Sequence, residues 1–258
     1  PQAVREEFTI PALLGFCGTL PVALTLVAGG IAPYAAGLAD ALWWAGVALL
    51  CAFQLWALAR WLPGGLTLAQ VNGGWMILLV GGIVVPSSGL ALGHPEVSAY
   101  LFGVSAIAAP FVMGLVLYRM LFGPPLPEAM RPTWFILLVP PALVYANGAA
   151  LSGGSAGVFL ESVFFCGLPL AVALLIAARG FWRWPFGAPW WAFTFPLDAL
   201  AAAAVHFAKA HPDGPWRVLA GAALLVATLF VVVLLKTLVA LYKGALFVPP
   251  QLPPQVPV

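Results

Sequence analysis

The residues with the most chemistry to offer are the few polar side chains set inside long apolar runs. Residues 190–198 read Trp190, Trp191, Ala192, Phe193, Thr194, Phe195, Pro196, Leu197 and Asp198. At about 100° per residue, Trp191, Phe195, Asp198, Ala202, His206 and Lys209 share a helical arc of roughly 80°. Ala199 and residues 201–204 are alanines and fill much of the remaining surface. A charged side chain at the centre of a membrane helix costs about 2.5–3.5 kcal/mol on insertion scales. Asp198 is therefore expected to face a wet path or a cationic partner, not lipid. Two readings of this stripe stand side by side. It lines a pore, or it supplies an ion pair or hydrogen bond inside a helical bundle.

Other candidates are milder. Ser87 and Ser88 follow Pro86, Asn147 lies about two turns after Pro140, and Thr19 precedes Pro21. Hydroxyls and amides can replace part of an ion's hydration shell without trapping the ion. The same groups also serve as hydrogen bonds between membrane helices. His94, His206 and His211 form no HExxH motif or helically spaced pair, so no metal or haem site is expected. Cys17, Cys51 and Cys166 are isolated in apolar stretches and read as small buried apolar residues. No catalytic set and no cofactor is expected. A membrane-embedded redox or enzyme subunit would need such a cluster, and a purely structural subunit of a larger complex is the remaining alternative.

The elements that must carry these residues follow from composition. Hydrophobic residues make up 63% of the 258-residue chain and charged residues 7%. Soluble domains carry about 25% charged residues. Mean hydropathy is +1.05, so lipid is the expected solvent for most of the surface. A net charge of +2 without a basic run excludes nucleic acid as a partner. Eight apolar segments are long enough to span, near residues 8–30, 36–62, 71–93, 97–122, 132–152, 156–180, 189–209 and 216–247. Each is a continuous apolar run, which excludes a β-barrel. The expected fold is all-α and polytopic. It forms one transmembrane domain over residues 1–248, followed by a proline-rich tail at 249–258.

The spans pair into hairpins near 8–62, 71–122, 132–180 and 189–247. The first helix of each carries an internal proline, at Pro21, Pro86, Pro140 with Pro141, and Pro196. Proline frees carbonyls that protein or a water-filled path must satisfy. The kinked helices are thus expected inside a ring around a central pore. Pro110 and Pro169 in two of the return helices make the rule imperfect. Arg5, Arg60, Arg119, Arg131, Arg179, Arg183 and Lys243 fall on one side, Lys209 and Arg217 on the other, and Lys236 within the last span. This asymmetry places both termini in the cytoplasm. Glu161 is expected to be a wet or paired interfacial acid, and most of the eleven tryptophans an interfacial belt.

The chain resembles the TehA-like group, which includes tellurite-resistance proteins, plant slow-type anion channels, fungal malate (C4-dicarboxylate) permeases and sulfite exporters. The resemblance rests on residues 190–197 (WWAFTFPL), on Met130–Ile136 (MRPTWFI) and on Pro86–Leu92 (PSSGLAL). It implies five hairpins whose first helices line a pore, an aromatic plug that Phe195 matches, small anions as substrate and a trimer in a bacterial inner membrane. The eight helices match the family's third to tenth, and the chain starts at Pro1 instead of Met. The expectation is a chain lacking its native start and first hairpin. Asp198, one turn beyond the plug position, departs from simple anion flow. It brings in proton coupling, on the argument that burial keeps the acid protonated part of the time.

Overall fold

A computed structural model describes residues 14–244. Arg5, the first residues of the span expected from 8, the last ones of that expected to 247, and the tail at 249–258 lie outside the described residues. Among the described residues every regular element is helical. The helices are α1 (Gly15–Ile31), α2 (Ala36–Trp61), α3 (Gly74–Gly89), α4 (Pro95–Phe122), α5 (Glu128–Leu151), α6 (Val158–Ala177), α7 (Ala188–Ala210) and α8 (Trp216–Tyr242). Six of these, α2 and α4 to α8, are long and apolar enough to cross a membrane, and α1 and α3 are shorter apolar helices. The shortness of α3 differs from the span expected over 71–93. Its start is delayed because Asn72 Oδ1 accepts the Gly74 N–H at 2.8 Å. Its end comes early because the chain turns through Gly93 at φ +85°, a conformation that favours glycine.

The prolines of the odd-numbered helices mark breaks. In α1, a 3₁₀ segment Gly15–Gly18 passes into α-helix Thr19–Ile31, with Pro21 in its first turn. In α3, Gly81–Val84 is 3₁₀ and α-helix resumes at Pro86. In α5, Glu128–Leu138 is 3₁₀, and Pro140 and Pro141 open the α-helix that starts at Val139. In α7, Ala188–Phe193 is 3₁₀ and Pro196 sits in the first turn of Thr194–Ala210. In the first turn of an α-helical segment the missing N–H costs least, and it leaves a carbonyl of the preceding 3₁₀ segment to be met by another group, as at Ile83. Pro110 and Pro169 lie inside the continuous helices of α4 and α6. Proline alone therefore does not force a break in this chain.

Burial sorts the helices as the kinks suggest. Of the most apolar 18 residues in each helix, 78% are buried in α5 and 56% in α7. The corresponding shares are 28% in α2, 22% in α4 and α6, and 17% in α8. The even helices show large apolar side chains such as Ile107, Phe111 and Leu225, a surface suited to lipid. Cys166 belongs to this surface. It is exposed on α6, not buried, because a lipid-facing position is as apolar as a core.

Helices α1 and α2, α3 and α4, α5 and α6, and α7 and α8 pack as hairpins, and α1 packs on α3, α3 on α5, and α5 on α7. Glycine makes the closest approaches. A Cβ on Gly15 would lie 2.5 Å from the Gly74 backbone, and one on Gly82 would lie 2.6 Å from the Leu101 carbonyl oxygen. Small residues at such crossings substitute dispersion contact for the hydrophobic drive that lipid removes.

Candidate functional site

Helix α7 is an inner helix with one open arc. Asp198, Ala202 and Lys209 are exposed, Trp191 is 42% exposed, and Phe195 and His206 are half-buried. Pro196, Leu197, residues 199–201, Ala203, Ala204 and Phe207 on the other sides are buried. The arc predicted from helical spacing is thus the arc left open. Phe193, two residues before Phe195, points the other way and is 1% exposed. Its ring meets Phe135 edge-on at 4.8 Å and Trp190 edge-on at 5.9 Å. Asp198 is exposed, not buried as expected.

The start of α7 is clasped to α8. Trp191 Nε1 donates to Thr237 Oγ1 at 3.1 Å, and Thr237 Oγ1 donates to the Val233 carbonyl at 2.8 Å. The Lys236 ammonium lies over the Trp190 ring at 4.6 Å. A cation over an indole face gains about 0.5–2 kcal/mol, which lets this lysine sit inside a membrane helix. The entry of the helix that carries Phe195 is thus tied to α8 through both Trp190 and Trp191.

Ser87 and Asn147 come together between α3 and α5. Asn147 Nδ2 donates to Ser87 Oγ at 3.0 Å and to the Ile83 carbonyl at 2.6 Å. Ser87 Oγ lies 3.3 Å from Asn147 Oδ1 and can donate back. Pro86 has no N–H to offer the carbonyl three residues upstream, and Asn147 reaches that carbonyl. Ser87 is exposed, while Asn147 is buried behind it. Ser88 is buried and faces α1, where a Cβ on Gly29 would lie 2.9 Å from its own Cβ. Thr19 is exposed on α1, its Oγ1 donating to the Phe16 carbonyl at 2.7 Å. Of the polar candidates, Ser87 and Asp198 thus occupy exposed positions on well-buried helices, Thr19 is exposed on α1, where only Pro21, Val22, Thr25 and Ala28 are buried in Thr19–Ile31, and only Ser87 and Asn147 touch.

Two histidine–carboxylate contacts escape sequence reasoning in their pairing. His94 Nε2 lies 2.5 Å from Asp40 Oδ1, and its ring stacks on Trp43 at 4.6 Å, tying α2 to the start of α4. His211 Nε2 lies 3.3 Å from Glu161 Oε1, tying the end of α7 to α6. Glu161 is thus paired. His206 approaches Tyr145 of α5 edge-on at 5.6 Å. An isolated acid early in a span, as at Asp40, was the available signal for the first pair.

Comparison with known proteins bears on the same helices. The family model described as voltage-dependent anion channel matches residues 1–239. The S-type anion channel SLAH2 of Arabidopsis thaliana is 26% identical over 211 residues, covering 80% of this chain and 40% of the plant protein. The guard cell S-type anion channel SLAC1 of the same plant is 26% identical over 240 residues, covering 90% of this chain and 43% of the relative. An uncharacterized transporter of Methanocaldococcus jannaschii is 30% identical over 156 residues, covering 52% of this chain and 45% of the archaeal one. The chain spans about two fifths of the length of the plant relatives it matches. The match takes in both the Pro86 and the Pro196 breaks, as the resemblance carried by the WWAFTFPL string required, and this chain of membrane-crossing helices belongs to the voltage-dependent anion channel family.

Proposed function

We propose that this chain passes small anions across a membrane along the open faces of its inner helices. The observation that carries the reading is the arc of α7, where Asp198 and Ala202 are exposed and Phe195 is half-buried on a helix whose other sides are buried in protein. Thr19 and Ser87 add hydroxyls on α1 and α3, Asn147 backs Ser87, and His206 extends the arc toward the end of α7. Ser88, although buried, belongs to the same polar set. Phe195 is the gate: a large apolar ring blocks hydrated ions sterically and by dewetting. The breaks at Pro21, Pro86, Pro140 and Pro196 set the inner faces. The substrates are small anions of the organic acid, sulfite, chloride and nitrate class. The protein works as a single transmembrane domain that forms trimers in a bacterial inner membrane, and it has no catalytic activity of its own.

Both termini lie in the cytoplasm, because the basic residues are concentrated at the end that carries Arg60, Arg119, Arg131 and Arg183. Single cysteines at Ser155 and Arg183 label from opposite sides on this orientation. Labelling of both from one side contradicts it.

The test of function is flux of nitrate, chloride, sulfite and malate in proteoliposomes holding the full chain. Phe195→Ala raises flux about tenfold, the effect of lowering a barrier by about 1.4 kcal/mol. A Phe195→Ala protein that folds and conducts as the native one does removes Phe195 from the gate. A native protein that passes none of the four anions removes the function.

A further inference from the structure

A cleft of about 420 Å³ lies between α7 and α8 at the end where the two helices are joined. Its walls are Val205 and Ala208 from α7 and Ala220 and Gly221 from α8, and its charged lining is Lys209 and Arg217. Both basic side chains are exposed. Neither forms an ion pair among the described residues. The acids nearest in sequence or packing are accounted for. Glu161 is held by His211 at 3.3 Å, and Asp213, in the turn between the helices, pairs with no cation.

The placement of these cations is the telling fact. Among the described residues Lys209 and Arg217 are the only Lys or Arg at this end of the bundle, and both line one cleft. Membrane proteins tend to deplete basic residues from the translocated side, so two converging there need a reason. The cleft is otherwise apolar, and it lies at the helix ends, where lipid headgroups sit. Two unpaired cations above an apolar slot match a phosphate above an acyl chain.

We propose that this cleft binds one anionic phospholipid of the non-cytoplasmic leaflet. Lys209 and Arg217 hold the phosphate, and the slot beside Ala220 and Gly221 takes the upper part of an acyl chain. Lys209 also ends the open arc of α7, so the cleft adjoins the proposed anion path, and the nitrate arm of the test below tells the two apart.

The test uses the full chain purified in mild detergent after exposure to vesicles of equal phosphatidylglycerol and phosphatidylcholine, with bound lipid counted by native mass spectrometry. The native protein retains phosphatidylglycerol over phosphatidylcholine by about tenfold. Lys209→Gln with Arg217→Gln brings the two lipids to parity. Gly221→Leu fills the slot and keeps both charges, and it lowers phosphatidylglycerol retention severalfold. A Cβ at Gly221 meets nothing within 4 Å, and a melting temperature equal to the native one checks that this variant folds. Equal retention of phosphatidylglycerol by native protein and both variants overturns the site. Displacement of the lipid by 0.1 M nitrate at constant ionic strength also overturns it, because the cleft then belongs to small anions.

Discussion

Helices α3 and α7 are broken by proline in the same way and differ in what meets the break. At Pro86 the freed Ile83 carbonyl receives the Asn147 amide, and a neighbouring glycine lets the α4 backbone close over the segment. At Pro196 one side is sealed by Phe193 and Trp190, and the other stays open along Phe195, Asp198 and Ala202. A break in a membrane helix frees backbone polarity that must be satisfied. In α3 the molecule meets that demand with a side chain of α5, and in α7 it leaves one face exposed at Asp198 and Ala202.

Substitutions can break or sharpen this contrast. The largest effect on stability is expected at the sealed side of α7. In lipid the transfer part of a core truncation largely vanishes, so the cavity part remains. At about 24 cal/mol per Å³ over roughly 100 Å³, Phe193→Ala loses about 2.5 kcal/mol. Phe195→Ala, on the half-buried side, loses less and changes flux instead. Thermal unfolding in detergent beside nitrate flux separates the two, and equal melting losses would erase the distinction between the faces.

Next comes the closed side of α3. Gly82→Ala forces a methyl group against the Leu101 carbonyl, and overpacking of this kind costs about 2 kcal/mol. The same change at Gly221 meets open space and leaves the melting temperature within a degree or two of native, since small open-surface changes stay within about 0.5 kcal/mol. Asn147→Leu ranks third. Interhelical hydrogen bonds in membranes average about 0.6 kcal/mol and reach about 1.7, so urea or thermal unfolding should register a loss in that range. A loss below the error of the measurement would mean that Ile83 needs no partner.

Asp198→Asn gives the smallest stability change, within about 0.5 kcal/mol, because the side chain is open and in no ion pair among the described residues. Its effect belongs to transport. A fixed negative charge 4 Å from a passing anion repels it by about 4 kcal/mol at an effective dielectric near 20. The neutral variant should conduct nitrate faster at pH 7. Equal flux through the two proteins would assign the carboxylate a structural role.

The breaks at Pro21, Pro86, Pro140 and Pro196 were legible because a missing N–H is a local fact of the chain. The open arc of α7 was legible for the same reason, since 100° steps along one helix need no partner to be known. The Asn147–Ile83 bond was not, because it joins residues 64 apart in sequence. Neither was the pairing of His94 with Asp40. Cys166 was misjudged because apolar character separates inside from outside in water and does not do so in lipid. The two ends of α3 were misplaced because Asn72 and Gly93 act through local caps that an apolar run does not reveal.

The packing of each hairpin on its neighbour in the chain carries a consequence for biosynthesis. Contacts between segments close in sequence form early and at small entropic cost. When α4 has left the ribosome, the partners of Gly15, Gly74, Gly82 and Leu101 are all already made. A nascent chain paused there can dock the α1–α2 and α3–α4 hairpins before the helix bearing Phe195 is translated. Asn147 arrives one hairpin later, so the Ile83 carbonyl waits for its donor while α5 is being inserted.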